Sequence, residues 1–115
     1  MANYGKYRGR VENVVDPMGL MRIQVTVPAV LDQAAVWAMP CVPFGYLGVP
    51  PVGSGVWVEF EGGDTDYPIW SGCWLEERGT VSMQPGGIEV SNGMGASVRL
   101  SGPTVSVNDG ALEVT

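Results

Sequence analysis

The chain has 115 residues, of which six are basic and twelve acidic, so its formal net charge is −6. This length allows one small domain with an appendage and excludes two enzyme domains. The negative charge disfavours nucleic acid as a partner, because proteins bind phosphate backbones through basic side chains. No stretch reaches the roughly 18 apolar residues of a membrane span, and residues 1–10 lack the apolar core of a secretory signal. We therefore expect a soluble protein made in the cytoplasm.

Glycine and proline punctuate the sequence at short intervals, with seventeen glycines and nine prolines separating short Val-rich runs. This pattern is typical of an all-β fold with tight turns. The first predicted strand covers Tyr7–Val15 and ends at a turn that reads Asp-Pro-Met-Gly. The second covers Met21–Val27 and alternates apolar and polar residues along its whole length. The two strands are predicted to form a hairpin.

Three further strands follow a segment, Ala29–Ala35, that we interpret as a loop because it is too short for a stable helix. They cover Val36–Cys41, Gly55–Glu61 and Pro68–Trp74. Five short strands in about seventy residues are typical of a Greek-key barrel of the OB type. The predicted barrel domain covers residues 1–78.

The alternation along these strands predicts which side chains form the barrel core. Gly72 stands where a barrel strand must bend sharply. Two cysteines, Cys41 and Cys73, lie in apolar surroundings and are interpreted as small core residues rather than as a disulfide. The predicted core residues are Val11, Ile23, Val25, Val56, Val58 and Ile69.

Residues 79–115 have a different character, with Gly, Ser, Asn and Val dominating. Apolar pairs recur there at a spacing of seven residues, separated by Ser-Gly-Pro and Asn-Asp-Gly turns. One such strip has no partner layer, so we predict a short β-helix or β-prism stalk built from three chains. A disordered Gly/Ser linker is the alternative, which the regular alternation disfavours. The residues predicted to line the trimer axis are Val98, Leu100, Val105, Val107, Leu112 and Val114, with Ile88 and Val90 as an earlier pair that is out of phase.

Several blocks of the predicted barrel have a familiar order. Gly9-Arg10-Val11, Asp16-Pro17 and Arg22–Val25 come first. They are followed by the blocks Trp37–Cys41, Pro51–Gly53 and Val56–Phe60 and by a final block from Gly63 to Gly72. Between Tyr7 and Trp74 the sequence resembles the OB domain of contractile-tail spike proteins, the baseplate assembly protein V and VgrG-like group. The residues that match the family motif are Gly9, Arg10, Val11, Asp16, Pro17, Gly63, Asp64, Pro68, Trp70 and Gly72.

The resemblance implies a structural protein without enzymatic activity, the homotrimeric central spike of a baseplate in a phage tail or a phage-derived injection particle. Such a spike joins a ring-shaped hub protein to a tip protein of the PAAR type and meets the target envelope on contraction. Some phage members hold iron in a His-x-His site, but this chain contains no histidine. That metal is therefore absent or belongs to another subunit, and we expect no metal or other cofactor on this chain.

The turn-rich segment after the third strand exposes apolar residues that have no evident role in a barrel. Together with the N-terminal residues it is predicted to form a rim that docks onto the hub ring. The residues of this hub-docking loop are Tyr46, Leu47, Val49 and Pro50.

Two other functions remain open at this point. An OB-type binding module for polysaccharide or nucleic acid would use some of the four tryptophans as a stacking platform, although the basic residues cluster elsewhere in the sequence, in the first hairpin. A small cell-wall hydrolase would need a carboxylate pair, because a chain without histidine has no Ser/His or Cys/His triad. The Asp64–Asp66 turn is also a weak calcium motif, more simply read as a turn fixed by Asp64. The carboxylates concerned are Glu59, Glu61, Asp64 and Asp66.

Overall fold

The computed structural model describes residues 2–75 and 86–115. By their contacts the residues divide into two compact units, 1–78 and 79–115, and each unit has its own β-sheet. Within the described ranges, no helix is both long enough and apolar enough to cross a membrane.

Five strands of the first unit close into a barrel in the order β1-β2-β3-β5-β4, with β4 paired back to β1. Neighbours are antiparallel except β3 and β5, which run parallel. The closed all-β barrel confirms the OB-like part of the predicted fold. The strands are β1 (Tyr7–Asn13), β2 (Ile23–Thr26), β3 (Ala35–Pro40), β4 (Gly55–Phe60) and β5 (Pro68–Trp74).

The interior of the barrel is filled by apolar side chains from all five strands. Most of the predicted core is confirmed, because five of its six members are fully buried: Val11, Ile23, Val25, Val56 and Val58. Four further residues, outside the predicted core, are also buried: Val27, Ala38, Phe60 and Trp70.

Ile69 was wrongly assigned to the core. In the β4–β5 pairing Val58 lies opposite Trp70, and Glu59 lies opposite Ile69. Residues directly opposite each other project from the same face of a sheet. Trp70 therefore joins Val58 inside the barrel, whereas Ile69 lies half-buried on the outside.

The bend predicted at Gly72 is present as a β-bulge. Between the Val56–Cys73 and Val58–Trp70 pairs, β5 advances by three residues while β4 advances by two. Gly72 has a φ of 68°, in the left-handed region that a glycine adopts without steric cost.

The loop predicted for Ala29–Ala35 is partly wrong, since the helix α1 covers Pro28–Leu31. The backbone N–H of Leu31 donates to the carbonyl of Val27 at 2.8 Å. Val30 and Leu31 pack against the barrel core, and this tertiary contact stabilises a turn that is too short to be helical alone.

Both cysteines were wrongly placed in the core, because Cys41 and Cys73 are exposed free thiols. Cys41 follows the last residue of β3, and Cys73 lies just beyond the Gly72 bulge. Partial burial nevertheless raises the pKa of the Cys73 thiol.

The second unit is a four-stranded antiparallel sheet in which each strand pairs with the next along the chain. Its turns are tight, with Asn108 and Asp109 both at a φ of 52°. A β-helix or β-prism is a feature of three chains and remains a prediction for this unit. The strands are β6 (Ile88–Ser91), β7 (Ser97–Ser101), β8 (Thr104–Val107) and β9 (Leu112–Val114).

Candidate subunit interfaces

One face of the four-stranded sheet is entirely apolar. The register places two rows of side chains across the strands, because directly paired residues share a face. The first row contains Ile88, Leu100, Val105 and Val114, and the second contains Val90, Val98, Val107 and Leu112. All six predicted axis residues therefore lie on this apolar face, although their axial position itself stays a prediction.

The apolar face is uncovered in a single chain. Val98 and Leu100 are 42% and 44% exposed, and Leu112 and Val114 about 60%. Val105 and Val107, on the interior strand β8, are half-buried by their neighbours. An exposed, contiguous apolar surface of this kind marks a site of protein–protein contact.

Ile88 and Val90 belong to the apolar face, although the sequence analysis left them out of the axis. They lie opposite Leu100 and Val98. Their spacing differs because the β6–β7 connection has five residues, whereas the next two connections have two and four. The apolar-polar alternation of Ile88–Ser91 was the signal that could have placed them.

The opposite face of this sheet is polar. Arg99 donates to the Glu89 carboxylate at 2.8 Å and lies 3.6 Å from Asp109, and the hydrogen bond to Glu89 raises the pKa of the guanidinium. Ser106 donates to Glu113 at 3.2 Å. Because these groups already have partners and face water, the apolar face is the one suited to contact with other copies.

The predicted hub-docking loop lies at one end of the barrel. Strands β1, β3 and β5 end there, and β2 and β4 begin there. We call this end of the barrel the exit end, because the last barrel strand, β5, ends there at Trp74. Tyr46 is 55% exposed and Leu47 is 87% exposed. Val49 is 38% exposed and Pro50 is half-buried. Their exposure suits a contact loop, and their role as the hub contact remains a prediction.

The N-terminal residues lie at the opposite end of the barrel. The backbone N–H of Asn3 donates to the carbonyl of Gly63 at 2.8 Å, in the turn after β4. Gly63 also packs against the ring of Tyr4. The expectation that the N-terminal residues and the hub-docking loop form one rim is therefore wrong.

Asp16 organises the β1–β2 hairpin. Its carboxylate accepts hydrogen bonds from the backbone N–H groups of Met18, Leu20 and Arg22 at 2.9–3.1 Å, and from the Arg22 guanidinium at 2.9 Å. The Asp16 side chain is only 4% exposed. The hydrogen bond from Arg22 holds the pKa of Asp16 well below its usual range. This family-motif residue thus fixes a loop conformation.

Arginines of β1 stack on a tryptophan of its neighbour β4 and on a tryptophan of β5, the strand beyond β4. The Cζ atoms of Arg8 and Arg10 lie 4.9 Å and 5.0 Å from the ring centroid of Trp74, and Arg8 also lies 5.4 Å from that of Trp57. The fold thus joins basic and aromatic residues that the sequence analysis treated as separate. Because guanidinium groups occupy ring faces that a base or a sugar would need, this geometry does not favour a stacking platform.

Other motif residues have structural roles. A Cβ on Gly9 would lie 2.8 Å from a methyl of Val58, so glycine allows β1 to approach β4 closely. The Arg10 guanidinium donates to the Gly53 carbonyl at 3.0 Å. Pro68 is buried at the start of β5, and Pro17 lies in the turn that Asp16 organises.

Two of the acidic residues, Glu59 and Asp64, take part in local hydrogen bonds. Glu59 accepts a hydrogen bond from Lys6 at 2.9 Å, which lowers the pKa of its carboxyl, whereas a general acid requires a raised pKa. Glu61 lies beyond β4 in a 3₁₀ turn. Asp64 accepts from the backbone N–H of Asp66 at 3.0 Å and so fixes its turn. Among the described residues, no cluster of three or more Cys or acidic groups has the arrangement of a metal site.

Comparison with protein families gives two matches. The model of the type VI secretion system/phage-baseplate injector OB domain matches residues 7–75. The model of the phage baseplate V C-terminal trimerisation domain matches residues 66–113, which supports a homotrimer. No curated protein matched the chain. The closed five-stranded barrel agrees with the first description, and the sheet with one uncovered apolar face agrees with the second. The chain belongs to the family of type VI secretion and phage-baseplate injector proteins, as a baseplate spike protein.

Proposed function

We propose that this protein is the structural central spike of the baseplate in a contractile phage tail or a phage-derived injection system. It assembles as a homotrimer in the bacterial cytoplasm, joins a hub ring to a tip protein, and helps to pierce the target envelope without enzymatic activity. The observation that carries this proposal is the uncovered apolar face of the second unit, within the segment that matches a trimerisation domain.

Three copies supply what one copy lacks. Fully burying a Val, Leu or Ile side chain contributes roughly 1.5–3 kcal/mol to stability. The apolar face carries eight such side chains, and all of them are partly exposed to water in a single chain. Ordering each residue costs about 1–2 kcal/mol of conformational entropy, which a single uncovered sheet recovers poorly. Three sheets that cover one another's apolar faces restore the balance and form a rigid stalk around an axis.

Two exposed surfaces are our candidates for the contacts with the hub ring and the tip protein. We place the hub ring against the hub-docking loop, where Leu47 offers a nearly fully exposed apolar side chain. The tip protein, of the PAAR type, caps the stalk at β9. In the sheet formed by residues 86–115, β9 is an edge strand that pairs with β8 on one side.

The oligomeric state of the full chain tests the proposal. Native mass spectrometry is expected to give three times the mass of one chain. Limited proteolysis is expected to leave residues 86–115 uncut. A monomer whose second unit is cut at once would contradict the spike function. For the hub contact, Leu47→Ser is expected to lose co-purification of neighbouring baseplate proteins, whereas Tyr67→Ser, at the opposite end of the barrel, retains it.

A further inference from the structure

The tip of the β1–β2 hairpin exposes three apolar side chains at the exit end of the barrel. Val15 is 75% exposed, Met18 64% and Leu20 47%. These three residues form the hairpin tip. The comparisons with known families assign no contact to them.

The hairpin tip is held in one conformation before any partner binds. Asp16 accepts hydrogen bonds from the backbone of Met18 and Leu20, and Arg22, which pairs with Asp16, stacks on Trp37 at 5.0 Å. From the core side, the Trp70 indole N–H donates to the carbonyl of Met21 at 3.2 Å. A preorganised apolar surface loses little conformational entropy on binding, which favours contact with a partner.

A second apolar surface lies at the same end of the barrel. The connection from β3 to β4 and the end of β5 both lie at the exit end. Each carries exposed apolar side chains. We call Phe44, Val52 and Leu75, which are 107%, 59% and 68% exposed, the exit patch.

The hairpin tip joins β1 and β2, whereas Leu75 of the exit patch follows β5. In the closed order β1-β2-β3-β5-β4, the strands β1 and β2 are the two that do not pair with β5. A threefold assembly needs this arrangement, because a ring closes through heterologous contacts in which each subunit offers two different surfaces. One self-complementary surface would close a dimer instead.

The occupant we infer is a second copy of this chain. The match to the trimerisation domain begins at residue 66, inside the barrel, and includes all of β5 and Leu75. The segment associated with trimerisation therefore reaches the exit end and is continuous with the exit patch. We propose that in the trimer the hairpin tip of each barrel packs on the exit patch of the next barrel, so that the subunit interface is not confined to the stalk. This inference rests on the homotrimer of the proposed function.

Crosslinking between two single variants tests the contact. Met18→Cys and Leu75→Cys chains, each also carrying Cys41→Ser and Cys73→Ser and a different affinity tag, are co-expressed and treated with a short bismaleimide. We expect a covalent dimer that contains one chain of each kind, and no crosslink when either variant is expressed alone. The matched control replaces Leu75→Cys by Tyr67→Cys, at the other end of the barrel, and is expected to give no mixed dimer.

The outcomes separate this inference from the proposed function. If the chain is trimeric by native mass and no mixed Met18–Leu75 dimer forms, the barrel contact is wrong and the spike function stands. A monomeric mass would overturn both. Crosslinking of the Met18→Cys chain to a co-expressed baseplate protein, in place of another copy of the chain, would also reject the inference, because the hairpin tip would then be a hub contact.

Discussion

The barrel and the four-stranded sheet use the same alternation of apolar and polar residues with different results. In the barrel, closure buries Val11, Val25 and Val58 completely and leaves no free strand edge. In the sheet, eight apolar residues share one face, and none is buried in a single chain. A two-residue period of apolar side chains thus places them on one face of a sheet, whereas barrel closure or a partner chain decides whether that face is buried.

The two units should therefore respond differently to dilution. A barrel with its own core has a stability that does not depend on protein concentration. A sheet whose core is completed by other copies gains stability by mass action, and its unfolding shifts with concentration. Substitutions in each unit test this difference.

Val58→Asp is expected to have the largest effect. The side chain is fully buried on β4, and a carboxyl group there has no partner, so its burial costs several kcal/mol, a large share of the roughly 5–15 kcal/mol of a typical domain's stability. Circular dichroism should show an unfolded barrel at any protein concentration. Met39→Asp, on β3 with 45% exposure, is the control and should stay folded. A cooperative melt of Val58→Asp like that of the parent would contradict the assigned interior.

Val105→Asp is expected to leave the barrel folded and to disrupt the trimer. In the threefold assembly it places three carboxylates close together, and each costs several kcal/mol when buried. Analytical ultracentrifugation should show dissociation, with residues 86–115 becoming sensitive to protease. Ser101→Asp, on the polar face of β7, should remain trimeric. A trimeric Val105→Asp protein with the parent's protease resistance would remove the axial assignment.

Gly55→Ala is expected to have a smaller effect, local to the barrel surface. A Cβ at Gly55 would overlap the indole of Trp74, which lies across this glycine to reach Arg8 and Arg10. Displacing the ring should cost about 1–3 kcal/mol, measured by urea unfolding. Gly48→Ala, where the nearest atoms are those of the Tyr46 ring at 3.8 Å, should change nothing. Equal stability of the two variants would show that Trp74 does not hold these strands together.

Much of the fold could be predicted because the sequence patterns are local. Alternation fixed the inward faces of β1, β2 and β4, and a glycine marked the bulge in β5. The seven-residue spacing of the pairs that begin at Val98, Val105 and Leu112 identified a single apolar face. Ile88 does not fit this spacing, because the connection between β6 and β7 has five residues. In these segments each side chain's environment depends on residues close in the chain.

The remaining features depend on register and closure. Whether Ile69 or Trp70 faces inward is decided by the pairing with β4 and not by the sequence of β5. The stacking of Arg8 on Trp74 joins residues far apart in the chain. The position of the N-terminal residues at the end opposite the hub-docking loop likewise follows only from the strand order, and this is why the single docking rim was predicted wrongly.

Asp16→Asn is expected to have the smallest effect, and its pH dependence identifies it. Asparagine retains an acceptor for the loop amides but loses the charge that pairs with Arg22. The pKa of Asp16 is lowered in the folded state, while the unfolded value is about 3.9, so the ionised form favours folding. This contribution is complete above the unfolded pKa and is lost as the pH falls below about 4 toward the lowered folded pKa.

Urea midpoints should therefore show the variant less stable than the parent at neutral pH, with the difference shrinking at pH values below about 4. Asp66→Asn, in an exposed turn, should follow the parent throughout. If the difference between Asp16→Asn and the parent stays constant with pH, the ion pair with Arg22 does not stabilise the hairpin, and the preorganisation of its apolar tip must come from the backbone alone.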